Sequence, residues 1–162
     1  MDGMQVRAIP LLLAGLAACA PDDRLEGSVT PLLDLHYERV EARQSEDGKE
    51  VAVRFLRMQG EAEDTVLKVT ANLEGHALEP RLPIDLAQRV GNAEGPQRGS
   101  VSRSLLDEPT RDFPELARGG LIFHGYLTPG GRVSGELHLT FTNGTHVYSG
   151  RTLFGRFEAT VP

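Results

Sequence analysis

The chain has 162 residues, of which 40% are hydrophobic and 25% charged, with a mean hydropathy of −0.26. One folded domain of roughly 150 residues accounts for that length, and the composition sets aside a disordered chain or a multi-span membrane protein. Seventeen basic against 23 acidic residues give a net charge of −6, which disfavours nucleic acid as a partner. A single cysteine and no tryptophan leave no disulfide framework and no cysteine-based zinc site.

In chain order the first element is a positive residue, Arg7, followed by an uncharged run from Ala8 to Ala18. The run falls short of the roughly 20 residues that a membrane-spanning helix needs, and suits the apolar region of a cleaved secretory signal peptide. Asp2 fits the positive leader of such a peptide poorly, and a start at Met4 rather than Met1 gives a cleaner one. The run closes on Leu16-Ala17-Ala18-Cys19, whose last member is the chain's one cysteine. This tetrapeptide resembles the lipobox of bacterial lipoproteins, over residues 4–19 only. The resemblance implies that residues 1–18 are removed, that the Cys19 thiol receives diacylglycerol, and that the new amino group is often acylated. Multiple acyl chains anchor a protein stably where one does so marginally. Residues 19–27 then read as a tether carrying the lipidated cysteine. Ala20, in place of the aspartate that retains enterobacterial lipoproteins in the inner membrane, points to the periplasmic face of the outer membrane or to the cell surface.

From residue 28 onward the apolar residues alternate with period two, the signature of strands that bury one face. Leu33, Leu35 and Tyr37 open an early strand that continues through Val40. Val51, Val53 and Phe55 share a side, as do Leu67, Val69, Ala71 and Leu73. Leu121, Phe123, Gly125 and Leu127 form another apolar set, facing Val133, Gly135, Leu137, Leu139 and Phe141 across Pro129-Gly130-Gly131. A three-residue loop pairs Leu127 with Val133 and Phe123 with Leu137, which keeps both apolar sets on one face. Asn143-Gly144 reads as a two-residue hairpin turn with positive φ at both positions, pairing Phe141 with His146 and Leu139 with Tyr148. Leu153, Gly155, Phe157, Ala159 and Val161 line the last strand. Glycines 125, 135, 150 and 155 suggest strong bending. The fold class is therefore all-β: a single antiparallel β-barrel or β-sandwich over 28–162, with meander hairpins at its C-terminal end. Residues 91–118 read as a loop-rich excursion holding one strand from Ser100 to Leu105 and a short helical turn over Phe113–Arg118.

Motifs for hydrolases, phosphate loops, zinc peptidases and calcium loops do not occur in the chain. The expectation is a non-enzymatic protein without a cofactor, anchored in the cell envelope as a binding or structural module. Its partners would be the membrane, through the anchor, and an envelope protein or a small apolar ligand. Arg98, Arg103, Arg111, Phe113 and Arg118 are the expected contact residues, presenting exposed charge and an aromatic anchor from the excursion. A barrel that binds an apolar small molecule or lipid in its interior is the alternative function. Last comes a metal site of His124, Glu136 and His138, weak because a polar patch on an exposed sheet face explains the same residues.

Overall fold

Alternating burial organises the computed structural model, which describes residues 24–162. Cys19 and the signal segment lie outside the described residues. Ten strands form: β1 (Leu25–Glu26), β2 (Arg39–Gln44), β3 (Glu50–Gln59), β4 (Ala62–Asn72), β5 (Ile84–Asp85), β6 (Gly99–Ser104), β7 (Arg111–Asp112), β8 (Leu116–Phe123), β9 (Arg132–Phe141) and β10 (Thr152–Thr160). They join one sheet in the order β5-β8-β9-β10-β2-β3-β4-β6-β7, with β1 added on β10, and no helix occurs among the described residues. Neighbours are antiparallel except at β10 and β2, which meet in parallel at Thr160 and Glu41. Pairing does not close the sheet. The chain after β5 spans the opening instead: the Leu86 N–H donates to the Gly119 carbonyl at 2.9 Å, and the Gly99 N–H donates to the Leu86 carbonyl at 2.8 Å.

The inward sets of β3, β4, β9 and β10 are the ones their alternation predicts, and they merge into one core. At its centre Phe157 stands edge-on to Phe55 and to Phe123, with ring centroids 6.0 Å apart in both pairs. A β-bulge between β3 and β4 inserts Val66, so the inward set of β4 runs Leu67, Val66, Asp64 instead of Leu67, Thr65. That single extra residue carries a carboxylate inside. Asp64 is fully buried, accepts the Leu106 N–H at 2.8 Å and lies 3.5 Å from Arg57.

Four expectations need correction. Leu33 and Leu35 are buried, but residues 28–33 turn, through bonds such as Leu32 N–H to the Val29 carbonyl, and the strand, β2, begins only at Arg39. The helical turn over Phe113–Arg118 does not form, because Leu116 and Arg118 pair with Phe141 and Thr140 as the start of β8. Residues 91–118 thus contain β6, β7 and the beginning of β8.

The hairpin of β8 and β9 keeps the expected faces but slips by two residues, pairing Phe123 with Gly135 and Leu121 with Leu137. The cause lies at the other end of the chain. Gly130 donates to the Val161 carbonyl at 2.8 Å and Val161 donates to the Gly131 carbonyl at 2.9 Å, so the turn joins the C-terminal strand and the loop lengthens. Asn143-Gly144 is likewise no hairpin turn. Leu139 faces Leu153, positive φ belongs to Gly150 and to neither Asn143 nor Gly144, and residues 142–151 form a longer loop that folds Tyr148 into the core. A valine in place of Gly144 would therefore meet no positive-φ strain.

Ion pairs stitch the outside of β2, β3 and β4. Arg39 and Arg54 each reach both Glu41 and Glu63, with Arg54 3.1 Å from Glu63. Elsewhere two exposed carboxylates paired with arginine are held below the usual carboxylate range. Asp34 is lowered first by the His36 N–H and then by the Arg57 guanidinium at 2.6 Å; Glu115 is lowered by the two-pronged Arg89. Both groups bind fewer protons folded than unfolded through the acid range. The stability they contribute is therefore complete above the ordinary carboxylate pKa and is lost as pH falls through the lowered values. A shallow decline in urea midpoint from about pH 5 downward is expected, flattened by Asp34→Asn and Glu115→Gln, and modest because both groups face water.

Candidate functional site

Parity along β8, β9 and β10 decides which side chains share the outer surface. Gly120 pairs with His138 and Ile122 with Glu136; His138 pairs with Phe154 and Glu136 with Arg156; Glu26 of β1 stands beside Phe154. Two parallel rows result, Gly120–His138–Phe154–Glu26 and Ile122–Glu136–Arg156. Arg24 closes the second row and is ion-paired with Glu26. Between the rows runs an open groove of about 480 Å³ lined by these residues together with Leu137 and Gly155.

The groove is unlike the rest of the outer surface. Phe154 exposes 45% of its area on the outward, polar set of a central strand. Glu136 lies 3.9 Å from the His124 Nε2 and 3.9 Å from the Arg156 Nε, beyond hydrogen-bond reach of both. A second, more polar hollow of about 410 Å³ lies between Arg24–Leu25 and residues 30–37.

The residues singled out by sequence fare unequally. Arg98 and Arg103, expected to be exposed, are buried structural donors. Arg98 donates to the Asn72 carbonyl at 2.6 Å and to the Glu74 carbonyl at 3.2 Å. Arg103 donates to the Asp34 carbonyl at 2.7 Å and to the Val66 carbonyl at 3.3 Å. Phe113 is half-buried, stacked between Tyr148 at 4.7 Å and Phe141 at 5.3 Å. Arg111 reaches Glu108 at 3.4 Å and the Tyr148 hydroxyl at 3.4 Å. Arg118 is exposed on the outer surface, opposite Thr140. These five residues therefore do not form one contact patch.

Glu136 and His138 line the groove, but the two-residue slip sets His124 beside Ser134, one row away. Among the described residues no group of three or more His, Cys, Asp or Glu gathers closely enough to hold a metal ion. Phe154, Gly120, Ile122 and Arg156 were not singled out by sequence. Phe154 had a visible signal, an aromatic ring in a set otherwise made of Arg156, Glu158 and Thr160. Gly120 had none, since its role depends on which residues flank it across the sheet.

Comparison with protein-family models, with curated proteins and with solved structures gave no match.

Proposed function

We propose that this chain is a lipid-anchored cell-envelope protein whose β domain is a non-catalytic binding module. The observation that carries the reading is the Leu16-Ala17-Ala18-Cys19 tetrapeptide closing an uncharged run, with a folded domain beginning a few residues later. From Cys19 to Arg24 the chain extends at most roughly 18 Å at 3.3–3.6 Å per residue. Anchoring would hold the domain, and the groove that Arg24 helps to line, close to the membrane surface.

We read the curled sheet as a barrel whose open seam is spanned by the chain after β5. Besides the Leu86 bonds, the Gln97 side chain donates to the Leu116 carbonyl at 2.8 Å and accepts the Leu116 N–H at 2.6 Å. The contact of Phe55, Phe157 and Phe123 at the centre of the core favours tight packing over a lipid-binding interior. A surface groove of mixed polarity is then the better candidate for recognition.

The experiment is expression in a bacterium with labelled palmitate. The wild-type chain is expected to take up label and partition into detergent, and Cys19→Ser to abolish both. Unchanged partition of Cys19→Ser refutes the anchor.

A further inference from the structure

We propose that the groove on the outer face of β8, β9 and β10 binds a small zwitterion with an apolar side chain, the chemistry of an aromatic amino acid or a short peptide. The proposal rests on the reading of the domain as a binding module and deepens it.

Gly120 is the first observation. Most strand glycines of this fold answer a steric need. A Cβ on Gly135 would meet the Ile122 carbonyl oxygen and the Phe157 ring at 2.5 Å, one on Gly99 would meet the Leu86 Cβ at 2.5 Å, and one on Gly155 would meet the Arg24 carbonyl oxygen at 2.7 Å. A Cβ on Gly120 would meet only the His138 Nδ1, at an ordinary 3.6 Å, and its φ is not positive. Neither packing nor backbone conformation calls for glycine there. Glycine inside a strand weakens it and often marks a place where another molecule approaches the backbone. Its effect here is a hollow bordered by Ile122, His138 and Phe154.

Phe154 is the second. Its half-exposed ring gives an apolar group something to stack on, across His138 from the bare Gly120 backbone. Aromatic rings with a desolvated partner pocket supply much of the energy of recognition.

The charges choose the ligand class. Arg24 and Glu26 line the groove from β1 and its approach, and Glu136 and Arg156 line it from β9 and β10, in the row that Arg24 closes. Both signs within one groove suit neither a polyanion nor a polycation, but they match an ammonium and a carboxylate carried a few bonds apart. Glu136 is placed to receive the ammonium, and Arg156 to receive the carboxylate in the two-pronged geometry that guanidinium offers. The 3.9 Å separation of this pair leaves its hydrogen-bonding capacity available. On β2, β3 and β4 the same residue types are spent on each other, with Arg54 donating to Glu63 at 3.1 Å. A volume of about 480 Å³ lies in the small-molecule range and accepts a dipeptide.

The test is an NMR titration of the full-length chain in detergent micelles. The probes are phenylalanyl-leucine, its N-acetylated amide, which has lost both charges, and phenylacetate. Saturable shifts are expected at the amides of Gly120, Ile122, His138 and Phe154 with phenylalanyl-leucine, and affinity at least about tenfold weaker for the blocked form and for phenylacetate. Gly120→Leu should abolish the shifts without lowering the melting temperature, and Phe154→Ala, at an exposed position that folding does not need, should weaken them. The proposal fails if no saturable shift occurs up to about 10 mM, if the blocked dipeptide binds equally well, or if both variants bind as wild type does. A chain that partitions through Cys19 but ignores the dipeptide overturns this site alone. Loss of partition dependence on Cys19 with the shifts intact overturns the anchor and supports the site.

Discussion

Phe157→Ala is expected to lower the unfolding free energy by about 3–5 kcal/mol, the range for truncating a phenylalanine in a close-packed core. Phe157 is 2% exposed and forms the centre of a row of three rings, edge-on to Phe55 on one side and to Phe123 on the other. These three rings come from β3, β8 and β10, which are separated by long stretches of sequence, so the loss would be felt on both halves of the sheet. The ring also lies directly over the bare backbone of Gly135. Gly135→Ala should therefore cost about 1–3 kcal/mol by overpacking. Combined with Phe157→Leu, it should cost less than the sum of the two changes, because the shorter side chain withdraws from the new methyl while the contact with the Ile122 carbonyl stays. Urea unfolding of these four variants against wild type checks both statements. A Phe157→Ala loss below about 1 kcal/mol, or strict additivity of the pair, would show that the ring is not wedged as described.

Phe157 also marks the limit of what the sequence makes legible. That Leu153, Gly155, Phe157 and Ala159 face one way follows from period-two alternation, and the structure agrees, because burial of one face is decided locally. Register is decided elsewhere. The β8–β9 pairing depends on how Gly130 and Gly131 bond to Val161, and the β9–β10 loop depends on Tyr148 stacking against Phe113; neither contact has a local signature. The bulge at Val66 is similar. One extra residue turns the fully buried Asp64, outwardly an ordinary polar residue of an alternating strand, into a core group. Arg98 and Arg103 were read as surface charges for the same reason, since nothing in a guanidinium's neighbours along the chain announces the carbonyls waiting for it across the fold. The groove is half legible: Glu136 and His138 share a face by alternation and Phe154 stands out of pattern, but the register slip, which pairs Ile122 with Glu136 and Gly120 with His138, is not visible in the sequence.

Arg103→Met is expected to cost about 3 kcal/mol or more, although the side-chain volume is nearly kept. The guanidinium is 3% exposed and ties three segments together. Its Nη1 donates to the Asp34 carbonyl, in the segment before β2, and to the carbonyl of Val66, the residue that the bulge inserts in β4. Its Nε lies 3.7 Å from the Glu108 Oε2 in the loop after β6. Methionine would leave two carbonyls without their donor and a half-buried carboxylate with only the more exposed Arg111 as its cation. An uncompensated buried acceptor costs about 1–3 kcal/mol, and one half of a broken buried pair costs more. Arg103→Lys should fall between wild type and Arg103→Met, as an ammonium keeps the buried cation but loses the Nε that lies beside Glu108. Adding Glu108→Leu to Arg103→Met should recover part of the loss by removing a carboxylate that has lost its buried partner. Arg118→Met, exposed on the outer surface, is the control and should stay within about 0.5 kcal/mol of wild type. Denaturant midpoints at neutral pH decide the matter: an Arg103→Met midpoint equal to that of Arg118→Met would mean that the three segments hold together without this side chain.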